Sequence, residues 1–132
     1  MFNKIKTVCQ SAFDEKMAEI SERIDQLSAQ DRNEEANMLK AAKNIYGIFS
    51  QLLDTAEAQR DTDEKRLALY YSYLDSISAP WKKSLEIAKE RGDFKKLAIE
   101  EQKLKAFYDV CRMVDAAASE GFTVALYKKS RR

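Results

Sequence analysis

The sequence predicts an all-α fold: a single-domain helical bundle of four to five helices, including a short αα-hairpin near Gly92. Three observations point there. Apolar residues make up 45% of the chain and charged residues 34%, with one Pro and three Gly, which is too apolar for disorder and too poor in turn formers for a many-stranded β protein. Leu, Ala, Glu, Lys and Gln, all good helix formers, dominate. Apolar residues recur at steps of three and four over long stretches, the period of a helix face. A chain of 132 residues suits one core, so residues 1–127 are assigned to one domain and 128–132 to a short basic tail.

The first helix is expected from about Phe2 to Leu27. Phe2, Ile5, Cys9, Phe13, Met17, Ile20, Ile24 and Leu27 form one narrow apolar stripe. Asp31-Arg32-Asn33-Glu34 has the spacing of a capping box, so Asp31 is expected to open the second helix. One unbroken helix through Asp31 is the alternative, because neither Gly nor Pro intervenes.

The second helix, roughly 32 to 59, carries two stripes. Met38, Ala41, Ile45, Phe49, Leu52 and Ala56 make one; Leu39, Ala42, Tyr46 and Leu53 make the other. So wide an apolar face implies several neighbours and a central position. Gly47 lies inside it, where Gly costs about 1 kcal/mol relative to Ala. Close packing of a neighbouring helix backbone at Gly47 would account for it; a tolerated surface glycine is the alternative.

The polar segment QRDTDEK, residues 59–65, is expected to be a loop with Thr62 or Asp63 capping the third helix, whose stripe is Leu67, Tyr70, Tyr71, Leu74 and Ile77. Pro80 is tolerated in a first turn and disfavoured in an interior, so a new short helix is expected from about Pro80 to Arg91. A Pro-kinked continuous helix is the alternative. Gly92 is placed at the C′ position and Asp93 at the next N-cap. The last helix is expected from Phe94 to about Ser119, with Leu97, Leu104, Tyr108, Cys111 and Val114 on its main stripe and Ala106, Val110, Met113 and Ala117 on a second; Gly121 marks its end.

Several function classes are disfavoured. Histidine is absent, which removes the usual general base near neutral pH and the commonest metal ligand. The pairs Glu34/Glu35 and Glu100/Glu101 diverge by about 100° around a helix, so neither aims at one point; both are read as solvated faces. No metal or other cofactor is implied, and an enzyme is not expected. Asp61-Thr62-Asp63 starts like a calcium loop but lacks its glycine and distal Glu. A net charge of +1 predicts no bulk attraction to nucleic acid, which is not expected as a partner, and no apolar run reaches the ~20 residues of a membrane span. The N-terminal stretch lacks the apolar region of a secretory signal, so a cytoplasmic protein is expected, and Cys9 and Cys111 read as reduced, buried residues within it.

The hairpin SLEIAKERGDFKKLAIEEQKLKAF looks like a tetratricopeptide unit, with Ala88 before the turn, Gly-Asp-aromatic after it, and Ala98. That fold needs several stacked units, and one hairpin reads as a generic αα-hairpin. As a DNA-binding helix-turn-helix it would present Glu100 and Glu101 to phosphates. The segments EEANMLKAAKNIYGIF, PWKKSLEIAKERGD and IEEQKLK resemble stretches of small all-helical bacterial proteins of unknown function, over much of the chain from Glu34 onward. The resemblance implies a bacterial cytosolic origin and assigns no site residue.

Function is therefore expected to reside in binding. Tyr70, Tyr71, Tyr73, Trp81 and Tyr46 combine apolar bodies with polar handles and are the candidate interaction surface, with Tyr73 the ring expected to be exposed. The first expectation is a non-enzymatic protein-interaction or structural module, self-association being one form of it. The alternative is a small-molecule or lipid-binding bundle with Tyr46, Tyr70, Tyr71, Trp81 and Tyr108 lining a pocket.

Overall fold

In the computed structural model the described residues are 1–119. They form four helices: α1 (Phe2–Ala29), α2 (Asn33–Gln59), α3 (Asp63–Arg91) and α4 (Phe94–Ser119). Gly121 and the basic tail at 128–132 lie outside the described residues. The antiparallel run is all-α, as composition and period predict.

α1 buries Phe2, Ile5, Cys9, Phe13, Ile24 and Leu27, the stripe read from its spacing. α2 buries residues from both of its stripes, Ile45 and Phe49 from one and Ala42, Tyr46 and Leu53 from the other. It packs against α1, α3 and α4, as a two-faced helix must; α4 also touches all three partners, whereas α1 and α3 meet least. The main core runs through all four helices, and Ile24, Leu27 and Ala36 form a satellite cluster where α1 turns into α2.

Asp31 corrects the expected capping box. Its φ of 57° is left-handed, and it ends α1 rather than opening α2. The amide of Arg32 donates to Leu27 O (2.9 Å) and that of Asp31 to Ser28 O (3.1 Å), the two bonds of a Schellman motif. Arg32 is the N-cap of α2 and makes no side-chain cap bond. The same motif closes α3: Asp93 N donates to Ala88 O and Gly92 N to Lys89 O, with Gly92 at φ 63°. Gly92 thus holds the position read for it, and Asp93 Oδ1 accepts from Lys96 N at 3.1 Å, capping α4.

Thr62 Oγ1 accepts from Lys65 N and caps α3. The neighbouring Asp63 reaches across to accept from Phe2 N at 3.1 Å, giving α1 the cap its own sequence lacks. Lys6 of α1 pairs with Asp54 (2.9 Å) and Glu57 (3.0 Å) of α2, fastening the same end.

Two further expectations are overturned. Pro80 does not begin a new helix: α3 runs through it unbroken. Pro80 and Ser76, whose carbonyl loses its helical donor, are both exposed, so water can replace the missing N–H. Nor does a neighbouring backbone approach Gly47. A Cβ built there meets Met17 Sδ at 3.9 Å, an ordinary van der Waals contact, and no main-chain atom of another helix within 4 Å. The flexible Met17 thioether occupies the space that backbone was expected to fill.

Candidate functional site

The residues singled out for an interaction surface are mostly turned inward. Tyr70 and Tyr71 are buried on α3. The Tyr70 hydroxyl donates to Phe49 O on α2 (2.9 Å), and that of Tyr71 to Asp115 Oδ1 on α4 (2.6 Å). Tyr46 is buried on α2 and donates to Asp109 Oδ2 on α4 (2.6 Å). Each hydroxyl thus ties two helices. Tyr73, expected to be exposed, is half-buried against the core. Trp81 is half-buried with its ring 6.1 Å from Phe49 and 6.2 Å from Phe107, in edge-on contacts. A polar handle in these rings serves helix order, because an unpaired buried hydroxyl is costly and a paired one fixes the neighbour.

The ring that does face water is Tyr108, 55% exposed and expected on the main stripe of α4. Phe107 takes the core position instead. Leu104, Phe107, Cys111, Val114 and Ala118 keep an alternation of three and four. Tyr108 also fits between Leu104 and Cys111, so spacing leaves a tie. The apolar ring goes in and the phenol stays out.

Beside Tyr108 a surface cavity of about 430 Å³ opens between α1, α2 and α4. Lys16 contributes from α1 and Tyr46 from α2, while α4 supplies Gln102, Lys105, Ala106, Tyr108, Asp109 and Arg112. Two hydrogen bonds organise its floor: Tyr46 donates to Asp109 on one side and Arg112 Nη2 donates to Asp109 on the other. Burial opposes ionisation of Asp109, but these two donors outweigh it and hold its carboxyl below the usual range. Burial, and then the Asp109 carboxylate, push the Tyr46 phenol well above its ordinary value. On the other side of Tyr108 a smaller cavity of about 230 Å³ is lined by Asp75, Lys82, Phe107, Tyr108 and Cys111. The Tyr108 ring lies 5.4 Å from Phe107 and forms a wall common to both.

Of the rings expected to line one aromatic pocket, Tyr46 and Tyr108 meet in the larger cavity, while Tyr70 and Tyr71 belong to the core. The meeting of Lys16 and Tyr46 with the α4 residues was not legible, since the two come from other helices. Glu100 also departs from its expected solvated face: it is 6% exposed, with Lys103 Nζ at 3.4 Å. Lys103 lies 5.3 Å from the Trp81 ring centroid, so its stem and ammonium roof that part of α4. Among the described residues no group of three or more Cys, Asp or Glu converges on a metal position. Nor is any helix among them long and apolar enough to cross a membrane. Comparison with protein-family models, curated proteins and solved structures finds no match.

Proposed function

We propose that this chain is a non-enzymatic binding module whose recognition site is the cavity between α1, α2 and α4, with Tyr108 as its exposed wall. The observation that carries this reading is the conjunction, at one concave place, of an exposed aromatic ring and three cationic side chains. The volume lies in the range of small-molecule sites, about 300–1,000 Å³. Tyr and Arg are the residue types that concentrate binding energy.

The titration behaviour of the floor also favours binding over proton transfer. A general acid or base works best with a pKa near the operating pH. Tyr46 is pushed away from neutrality upward and Asp109 downward, so each keeps one protonation state there. The charged rim favours a polar ligand over a lipid tail.

A thermal-shift screen of the full chain against a chemically diverse metabolite panel tests the proposal. At least one compound should raise Tm, and Tyr108→Ala should abolish that rise. An inert panel, or hits indifferent to Tyr108→Ala, would refute it. A protein contact is the second reading, favoured by Phe94, which is 80% exposed at the α3–α4 turn. Self-association there predicts a sedimentation mass that rises with concentration and is flattened by Phe94→Ser; a constant monomer mass removes that form of it.

A further inference from the structure

We propose that the cavity between α1, α2 and α4 takes a phosphate monoester carried on a flat aromatic body, with the phosphate against Lys16, Lys105 and Arg112 and the ring against Tyr108. This rests on reading that cavity as a binding site.

Charge balance comes first. Three cations less one carboxylate leave the lining at +2. A phosphate monoester carries about −1.5 to −2 near neutral pH, which matches the lining once Glu19 is displaced from Lys16. The one carboxylate is already engaged: Tyr46 and Arg112 both donate to Asp109. Its charge is met inside the wall before any ligand arrives.

The cations are available to different degrees. Lys105 is exposed and has no ion pair among the described residues, so its ammonium is uncommitted. Arg112 gives Nη2 to Asp109, and a guanidinium has five N–H donors, which leaves others for an oxyanion. Lys16 pairs with Glu19 at 3.9 Å, the longest ion pair among the described residues, and Glu19 is 62% exposed. Glu19 is the acidic group that works against anion binding here, and a ligand must displace it from Lys16.

The aromatic half follows from helix geometry. Lys105, Tyr108 and Arg112 are spaced by three and four, so they share one face of α4 with the ring between the cations. Lys16 approaches from α1. The Tyr108 face is open and backed by Phe107, which suits stacking by a planar group. An anion alone would leave that ring without a use, and a neutral ring would leave the cations without one.

The test is a titration of the full chain, followed by amide chemical shifts of the cavity residues in NMR. Adenosine monophosphate and free phosphotyrosine are the two carriers of the shared chemistry. Adenosine, tyrosine and inorganic phosphate are the controls. At least one monoester should shift the amides around Lys105, Tyr108 and Arg112, and bind about tenfold or more tighter than its dephosphorylated form and than inorganic phosphate. Lys105→Gln should weaken the monoester several-fold and reduce its salt dependence. Tyr108→Ala should weaken the monoester while leaving inorganic phosphate unchanged. Both positions are exposed, and an unchanged Tm for each variant confirms an intact fold. Silence of the cavity amides to both monoesters overturns the proposal; so does adenosine binding as tightly as its phosphate, or inorganic phosphate as tightly as either ester. If both esters fail but a panel compound gives a Tyr108-dependent rise in Tm, the ligand class falls and the binding site stands. If neither occurs, both fall.

Discussion

Replacing Gly47 by Ala decides between two explanations of a glycine in the middle of α2, because they predict opposite signs. If a neighbouring main chain lay against Gly47, an added methyl would force the helices apart, and overpacking of that kind costs about 1–3 kcal/mol. The structure has no such contact. The added Cβ would meet only Met17 Sδ, at 3.9 Å, where nothing needs to shift. What remains is the intrinsic helix preference of Ala over Gly, about 0.8–1.0 kcal/mol. Contact with the thioether adds a few tenths at most, since one atom pair contributes roughly 0.1–0.2 kcal/mol. Gly47→Ala should therefore stabilise by about 1 kcal/mol, which for a chain of this size raises Tm by about 3–5 °C. Circular-dichroism melts check this, together with urea midpoints at an unchanged slope. A lower Tm for Gly47→Ala would mean that α2 is held closer to its neighbour than the packing around Met17 allows, and the account of the core would have to be redrawn.

Three other outcomes follow from the structure. The two Schellman turns place different residues at the left-handed position, so Asp31→Gly should stabilise by about 0.5–1 kcal/mol and Gly92→Ala should destabilise by about 1 kcal/mol, both read from urea midpoints. Equal and like-signed effects would contradict the left-handed geometry. Burial pushes the Cys9 thiol up to about 12. Its folded value lies above the unfolded value, so its contribution is complete below roughly pH 8.5 and declines as pH rises toward 12. Site-mapped alkylation should accordingly be slow in the native chain and fast in urea; rapid native labelling at Cys9 would refute its burial. Asp109 has the opposite sign. Its lowered folded value gives stability that is present above the usual carboxylate range of about 4 and lost as pH falls through that folded value. Asp109→Asn should lower Tm at neutral pH and flatten the acid limb; an unchanged acid limb would show that the Tyr46–Asp109–Arg112 contact does not form.

The fold was largely legible because its stripes are long. Eight apolar positions at steps of three and four leave little choice for α1, and the doubled stripe of α2 correctly demands partners on two sides. The failures came where two physical solutions share one sequence signature. Asp is favoured both before a helix and in the left-handed position after one, so Asp31-Arg32-Asn33-Glu34 reads as a start when it is a stop. Pro80 is accommodated inside α3 where the orphaned Ser76 carbonyl faces water, and the exposure of that face is a tertiary fact. Phe107 and Tyr108 compete for one stripe, and the tie is broken by the hydroxyl. The candidate site was less legible, since Asp109 is bracketed by a donor on α2 and a donor on its own helix, and sequence spacing reveals only the second.

Aromatic content alone did not distinguish a contact surface from a core, but the fate of each hydroxyl does. Phe could have filled the places of Tyr46, Tyr70 and Tyr71 by volume. The extra oxygen matters because each has an acceptor on another helix, which penalises any slip of register between them. Tyr73 packs against the core. Tyr108 is left with an exposed ring and no hydrogen bond for its hydroxyl among the described residues. What this phenol contributes to the bundle is its ring contact with Phe107, and its hydroxyl and outer face are left over. Its place between Lys105 and Arg112, at the mouth of a cavity that draws on three helices, is the reason we propose recognition there rather than at the inward-facing tyrosines.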